Sequence, residues 1–108
     1  MVNAAGIASV SHTLEVTLDE WRRLLDVNLT GTFLVARATL PALLESRGSM
    51  INVASVAALR GWRYMAAYAA TRGGIVALSR SLAVKYGSRG VRVNVVCPGS
   101  IATPLAQR

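Results

Sequence analysis

The sequence predicts an α/β fold, a doubly wound parallel sheet whose elements follow the order β-α-β-α-β. Three short apolar runs, each ending in a turn that contains Gly, Ser or Pro, alternate with two long stretches of helical periodicity. A helix that connects two strands of one sheet returns the chain to the same direction, so we expect parallel strands. No repeat or linker interrupts the pattern, and residues 1–108 therefore predict a single domain.

The composition indicates a packed domain in a reducing compartment. Of the 108 residues, 53% are hydrophobic and 16% are charged, which excludes a disordered chain. The single cysteine, Cys97, excludes an internal disulfide. The apolar runs are shorter than the ~20 residues that span a bilayer, and the N-terminus lacks the pattern of a signal peptide. We therefore expect a cytoplasmic protein with no membrane partner.

The net charge of +7 raises nucleic acid as a partner, but the distribution of the charge argues against it. The eleven arginines are spread along the chain without a polybasic run or interleaved aromatic residues. We expect them to be solvated and predict no nucleic-acid partner. His12 lies in a polar loop, where we expect it to be solvated too, and no group of ligating residues indicates a metal site.

The first strand and the helix that follows it have recognisable boundaries. The stretch "MVNAA" predicts a strand that runs into Gly6. Residues 17–20, "TLDE", form a capping box that starts a helix, and the pattern continues to about Leu44 with bends near Gly31 and Pro41. The apolar positions recur at spacings of three and four residues: Leu18, Trp21, Leu24, Leu25, Leu29, Phe33, Ala36 and Leu40.

The second half of the chain repeats the alternation. Residues 49–55 and 91–97 predict buried strands, and residues 65–86 predict the helix between them. The carboxyl ends of parallel strands meet at one edge of the sheet, where open α/β sheets bind ligands. Three turns therefore converge on a predicted site: "NAAG" at residues 3–6, the loop that begins at Ser55, and "PGSIAT" at residues 98–103.

The order and spacing of these features resemble those of the short-chain dehydrogenase/reductase family over nearly the whole chain. The family's Asn-Asn-Ala-Gly turn is matched with one change by residues 3–6, its helix asparagine by Asn28 and its serine by Ser55. Its Tyr-x-x-x-Lys signature falls on Tyr68 to Arg72. The resemblance implies a partial Rossmann-like fold and reversible hydride transfer between NAD or NADP and a small-molecule alcohol or carbonyl substrate.

The resemblance also assigns residue roles. In family members the serine holds the substrate oxygen, the asparagine keeps a relay water near the cation, and the residue at Ile101 contacts the nicotinamide carboxamide through its main chain. The catalytic residues that this implies are Asn28, Ser55, Tyr68 and Arg72. The cofactor-binding residues that it implies are Asn3, Ala4, Gly6, Tyr68, Arg72, Pro98, Gly99, Ile101 and Thr103.

The chemistry of alcohol oxidation explains why a tyrosine and a cation stand four residues apart. Removing a hydroxyl proton needs a base, and a free tyrosine is mostly protonated at neutral pH. A positive side chain four residues on lies beside it on a helix and favours the phenolate. Tyr64 is the nearest rival, but it lacks a cation four residues later and does not stand thirteen residues after Ser55, as Tyr68 does.

The chain departs from the family pattern at Arg72. Arginine keeps the positive charge of the family's lysine but replaces a compact ammonium with a planar group that does not release its proton. The chain also lacks a Gly-rich strand-turn-helix fingerprint ahead of residue 1, and only "PLAQR" follows Thr103. The resemblance therefore implies the middle of a domain without its diphosphate site.

Two functions remain open. The first is an oxidoreductase fragment with impaired activity. The alternative is a non-catalytic protein, either a truncated gene product or a dimerising partner. The family uses the two long helices in dimer contacts, so the resemblance implies a homo-oligomer formed through them.

Overall fold

The computed structural model describes residues 1–4, 6–7, 12–59 and 64–98. Within them the elements follow the predicted order, with bounds within a few residues of those expected. Short 3₁₀ turns lie at Thr13–Glu15, Val56–Ala58 and Gly87–Arg89. The main elements are β1 (Val2–Asn3), α1 (Leu18–Leu24), α2 (Gly31–Ser46), β2 (Ser49–Val53), α3 (Ala66–Tyr86) and β3 (Arg92–Val96).

The three strands form a parallel sheet in the order β1-β2-β3. Val2 pairs with Ile51, and β2 pairs with β3 over its whole length, from Ser49 opposite Arg92 to Val53 opposite Val96. Because all three strands run the same way, their carboxyl ends lie at one edge of the sheet. The α/β class and the parallel arrangement are therefore confirmed.

The helix that begins after Thr17 is continuous but not uniform. The Thr17 hydroxyl accepts a hydrogen bond from the Glu20 backbone N–H at 3.1 Å, which confirms the predicted start. A π-helical turn over Leu25–Thr30 separates α1 from α2. The departure from α geometry thus falls directly before Gly31, near one predicted bend, whereas Pro41 lies inside α2.

Both long helices pack on the same face of the sheet. The buried side chains of β2 alternate along this face: Met50 packs with Leu40 of α2 and with Val91 and Val93 at β3. Asn52 donates to the Ser79 hydroxyl of α3 at 3.0 Å. One residue past β2, Ala54 packs with Ile75 and Val76 of α3.

The opposite face of the sheet is largely open in the part of the chain that the structure describes. Side chains of β2 on this face are half-buried, and those of β3 are exposed, including Val96 at 44%. The prediction that residues 49–55 and 91–97 form buried strands therefore holds for one face of each strand among the described residues and not for the other. The physical reason is that the two helices cover only one face, whereas a strand with apolar residues on both faces requires cover on both.

One described helix is long and apolar enough, by length and composition, to cross a membrane. It runs from Leu18 to Ser46, and a window of 18 residues within it has a mean hydropathy of 1.3 and is 22% buried. Uninterrupted apolar runs within it are shorter, because polar residues such as Asn28 and Thr32 divide them. Both of these side chains are buried within the domain, which ties this helix to the folded core.

Candidate active site

The carboxyl edge of the sheet brings together parts of the three predicted turns. Gly6 and Ile7 follow β1, Ser55 follows β2, and Cys97 and Pro98 follow β3. Three of the predicted cofactor-binding residues lie outside the described part of the chain, namely Gly99, Ile101 and Thr103, as does Ala5 of the first turn.

Asn28 joins the first turn to the π-helical segment. Its Oδ1 accepts from the Ile7 backbone N–H at 2.7 Å, and its Nδ2 donates to the Ile7 carbonyl at 2.7 Å. The same Nδ2 donates to the Thr71 hydroxyl at 3.1 Å. The side chain is fully buried, and both hydrogens of its amide group are used. Asn28 therefore anchors the chain after β1, while its relay-water role stays a prediction.

Thr71 is a site residue that sequence reasoning missed. Its fully buried hydroxyl donates to the Tyr68 carbonyl at 2.7 Å while accepting from Asn28. It thereby connects the Asn28 anchor to the backbone of the helical turn that carries Tyr68. The available signal was a β-branched hydroxyl residue directly before Arg72 in a helix, a position where such a side chain bonds to the preceding turn.

Ser55 lies beside α3 because the residues around it pack there. Ala54 is buried against Ile75 and Val76, and Ala58, at the end of the next 3₁₀ turn, packs on the same cluster. The Ser55 hydroxyl oxygen accepts from the Ala57 backbone N–H at 3.1 Å. Among the described residues its own hydrogen has no acceptor, and a hydroxyl donor of this kind is required to hold a substrate oxygen.

Tyr68 and Arg72 lie one turn apart on α3, as predicted. The Arg72 guanidinium carbon is 5.2 Å from the centre of the Tyr68 ring, within range of a cation–π contact. Arg72 is 6% exposed, and its Nη1 donates to the Val53 carbonyl at 3.0 Å. Its Nε is buried and has no acceptor among the described residues. The cation therefore lies inside the edge of the sheet rather than in solvent.

The remaining predicted cofactor residues divide into buried and open positions. Asn3 is buried and donates from Nδ2 to the Thr32 carbonyl of α2 at 3.1 Å. Ala4, Gly6 and Pro98 are exposed. Asn3 is therefore held by the helix layer, whereas the other three present an accessible surface at the carboxyl edge.

His12 and Tyr64 form an aromatic pair between two loops. Their ring centroids are 4.5 Å apart, with the rings nearly perpendicular at 78°. Both residues are exposed, and Tyr64 has a positive φ of 64°, which is uncommon for a residue other than glycine. His12 is thus exposed as expected, but it also links the loop before α1 to the segment before α3.

The whole chain matches a known enzyme family. Residues 1–108 match the family model described as enoyl-(acyl carrier protein) reductase. A solved oxidoreductase of the short-chain dehydrogenase/reductase family from Burkholderia thailandensis superposes with a TM-score of 0.83 at 38% identity, over 90% of this chain and 38% of that one. The chain belongs to the short-chain dehydrogenase/reductase family, as its motifs predicted.

Two further proteins are similar to this chain, one in sequence and one in structure. The inactive 2-(S)-hydroxypropyl-CoM dehydrogenase 2 of Xanthobacter autotrophicus is 49% identical in an alignment of 106 residues, with coverage of 95% of this chain and 45% of that protein. A 4-hydroxyisoleucine dehydrogenase complexed with NADH and succinate has a TM-score of 0.86 at 33% identity, over 94% of this chain and 48% of that one. The chain thus spans less than half the length of these relatives.

Proposed function

We propose that residues 1–108 carry the catalytic residues of an NAD(P)-dependent oxidoreductase that interconverts an alcohol and a carbonyl compound. The observation that supports this best is the position of the Arg72 cation, 5.2 Å from the Tyr68 ring. Ser55 follows the end of β2, at the carboxyl edge of the sheet. A base, a cation and a hydroxyl donor are the three groups that this reaction needs.

In this proposal each side chain has one task during oxidation. The Ser55 hydroxyl donates to the substrate oxygen and orients it. The Tyr68 side chain acts as a phenolate, whose oxygen takes the hydroxyl proton as the carbon–oxygen bond becomes double. Arg72 stabilises the negative charge that the phenolate carries before it takes the proton. In the reverse direction Tyr68 returns the proton to the carbonyl oxygen.

The residues at the edge fit a nicotinamide cofactor. When bound, such a cofactor supplies the acceptor for the hydride that leaves the carbinol carbon. The buried Arg72 Nε has no acceptor among the described residues, so it is a donor suited to a ligand oxygen or a water. Ala4 and Gly6 are both exposed at this edge.

For the substrate we propose a secondary alcohol or the corresponding ketone. The names of two relatives, a 2-(S)-hydroxypropyl-CoM dehydrogenase and a 4-hydroxyisoleucine dehydrogenase, both specify a hydroxyl group on a secondary carbon. A hydroxyl donor and a tyrosine base act on the alcohol oxygen and require nothing further of the substrate.

A chimaera provides the direct test. Residues 1–108 would replace the matching segment of the 4-hydroxyisoleucine dehydrogenase, whose backbone they follow with a TM-score of 0.86. We expect NAD-dependent oxidation of 4-hydroxyisoleucine by this chimaera, and its loss in the Tyr68→Phe variant. A folded chimaera whose turnover survives Tyr68→Phe would contradict the assignment of the base.

A non-catalytic role is the second candidate. It is favoured by the engagement of Arg72 with the Val53 carbonyl and by the word "inactive" in the name of the 49% identical relative. If this reading is right, the folded chimaera has no turnover, and Arg72→Lys does not restore it. Recovery of turnover in Arg72→Lys would instead show that only the cation is altered.

We further propose a cytoplasmic homo-oligomer assembled through the long helices. Three consecutive side chains of α2 are between 42% and 45% exposed: Phe33, Leu34 and Val35. On α3, Val84 is 85% exposed. Large apolar side chains exposed on two helices are the kind of surface that a partner covers. Size-exclusion chromatography of wild type and Leu34→Glu would test this, with a shift to a smaller species expected for the variant.

A further inference from the structure

We infer that Arg72 is a clamp that holds the carboxyl ends of β1 and β2 together, and that Gly6 is required because the guanidinium fills the space beside it. Arg72 is thus a positioning residue as well as a cation. The clamp is a property of the folded chain, and it stands whether or not the protein turns over an alcohol.

The first half of the clamp is the contact with β2. Nη1 donates to the carbonyl of Val53, the last residue of β2, at 3.0 Å across 19 positions of sequence. Val53 directly precedes Ala54 and Ser55. A hydrogen bond from a charged donor to a carbonyl is stronger than one from a neutral donor. Inside the protein it is stronger still, because little water competes for either group. The bond therefore fixes the backbone from which Ser55 projects.

The second half of the clamp is the contact with the chain after β1. A Cβ atom placed on Gly6 would collide with Arg72 Nη2 and would lie 2.9 Å from Cζ. It would also lie 3.0 Å from Asn28 Oδ1. The guanidinium thus lies directly against the backbone of Gly6 while its other terminal nitrogen bonds Val53. Only glycine leaves room there for the plane of the guanidinium.

This arrangement uses the features that distinguish arginine from lysine. The planar group presents several nitrogens in fixed directions, so one can bond Val53 while a second lies against Gly6 and Nε remains as a donor. A lysine has a single nitrogen and cannot make both contacts at once. Lysine at position 72 would therefore keep the charge but lose the clamp.

The collision at Gly6 involves the end of a side chain that could in principle move aside. If Arg72 merely occupies free space, alanine at position 6 displaces it at little cost. If Arg72 is a clamp, the displacement breaks the bond to Val53 and leaves a buried cation without partners, which is costly. A double-mutant cycle separates these cases, because coupling appears only between groups that depend on each other.

The cycle uses thermal unfolding of the intact protein, meaning the natural polypeptide that carries residues 1–108. The variants are Gly6→Ala, Arg72→Met and both together, with Arg92→Met as the control for the same change at an exposed arginine of β3. We expect Gly6→Ala to lower the unfolding midpoint by at least about 4 °C with Arg72 present, and by less than half as much in the Arg72→Met background, where the guanidinium is gone. Equal shifts in both backgrounds, or no shift with Arg72 present, would overturn the clamp.

If Gly6→Ala alone does not fold, the double variant decides the question. Recovery of a folded protein on adding Arg72→Met supports the clamp, whereas failure of both overturns it. Arg72→Lys separates the contribution of the planar guanidinium from that of the positive charge. We expect this variant to lower the unfolding midpoint as much as Arg72→Met does. Full wild-type stability in Arg72→Lys would show that the charge alone matters.

A spectroscopic readout is independent of stability. In nitrogen-15 NMR of the intact protein, a guanidinium held through Nη1 rotates slowly about its Nε–Cζ bond, so its Nη signals remain separate. We expect separate Nη signals for Arg72 and a single averaged signal for exposed Arg92. An averaged signal for Arg72 would overturn the clamp, whatever the unfolding data show.

Discussion

Replacing Asn28 with alanine is the sharpest test of how the site is held in place. The amide makes three hydrogen bonds, two to the Ile7 backbone at 2.7 Å and one to the Thr71 hydroxyl at 3.1 Å. A net loss of about 1 kcal/mol for each bond gives about 3 kcal/mol of unfolding free energy. Ile7 is half-buried, so water replaces part of what it loses, whereas Thr71 is fully buried.

The assay is the unfolding of the intact protein in denaturant and on heating. For a domain of about 100 residues, about 3 kcal/mol corresponds to a fall of about 12–24 °C in the unfolding midpoint. The matched control is Asn94→Ala on β3, where the side chain is exposed and a change within about 0.5 kcal/mol is expected. A second variant, Asn28→Asp, keeps the shape but places an oxygen against the Ile7 carbonyl, so we expect a loss at least as large.

The result that would refute this reasoning is a small effect. If Asn28→Ala and Asn94→Ala differ by less than about 0.5 kcal/mol, Asn28 is not the anchor of the chain after β1. If Asn28→Asp is much milder than Asn28→Ala, the loss comes from removed volume rather than from the donors to Ile7 and Thr71. Either outcome would show that the hydrogen bonds from the Asn28 amide do not determine the position of Ile7.

Three further outcomes are expected. Gly73→Ala should stabilise α3 by up to about 1 kcal/mol, since nothing lies within 4 Å of the new Cβ. Gly74→Ala should destabilise α3, because its Cβ would lie 2.7 Å from Leu29 Cδ2. Equal effects of the two variants on the unfolding midpoint would contradict this. Arg72→Lys in the chimaera should raise kcat by roughly 10- to 1000-fold, and an unchanged kcat would show that charge alone suffices. Residues 1–108 alone should not bind NADH or NADPH tightly, and a micromolar Kd by fluorescence titration would require a phosphate site of another kind.

The sequence alone determined the elements of this protein and the spacing of its chemistry. The helix start at Thr17 depends on a side chain and an N–H three residues apart, and the pairing of Tyr68 with Arg72 depends on two side chains one turn apart. Such contacts lie within a few positions of sequence, so they follow once a segment is helical. The family motifs follow for the same reason, because they are short runs or fixed spacings within one element.

Only the tertiary structure decided what those side chains contact. Arg72 bonds the carbonyl of Val53, 19 positions away, and Asn28 bonds Thr71, 43 positions away. The openness of one face of the sheet likewise depends on which elements surround it, whereas the apolar pattern of the strands predicted only that they are buried. The physical reason is that a hydrogen bond or a buried face depends on how separate elements pack together, and a pattern within one element does not specify its neighbour.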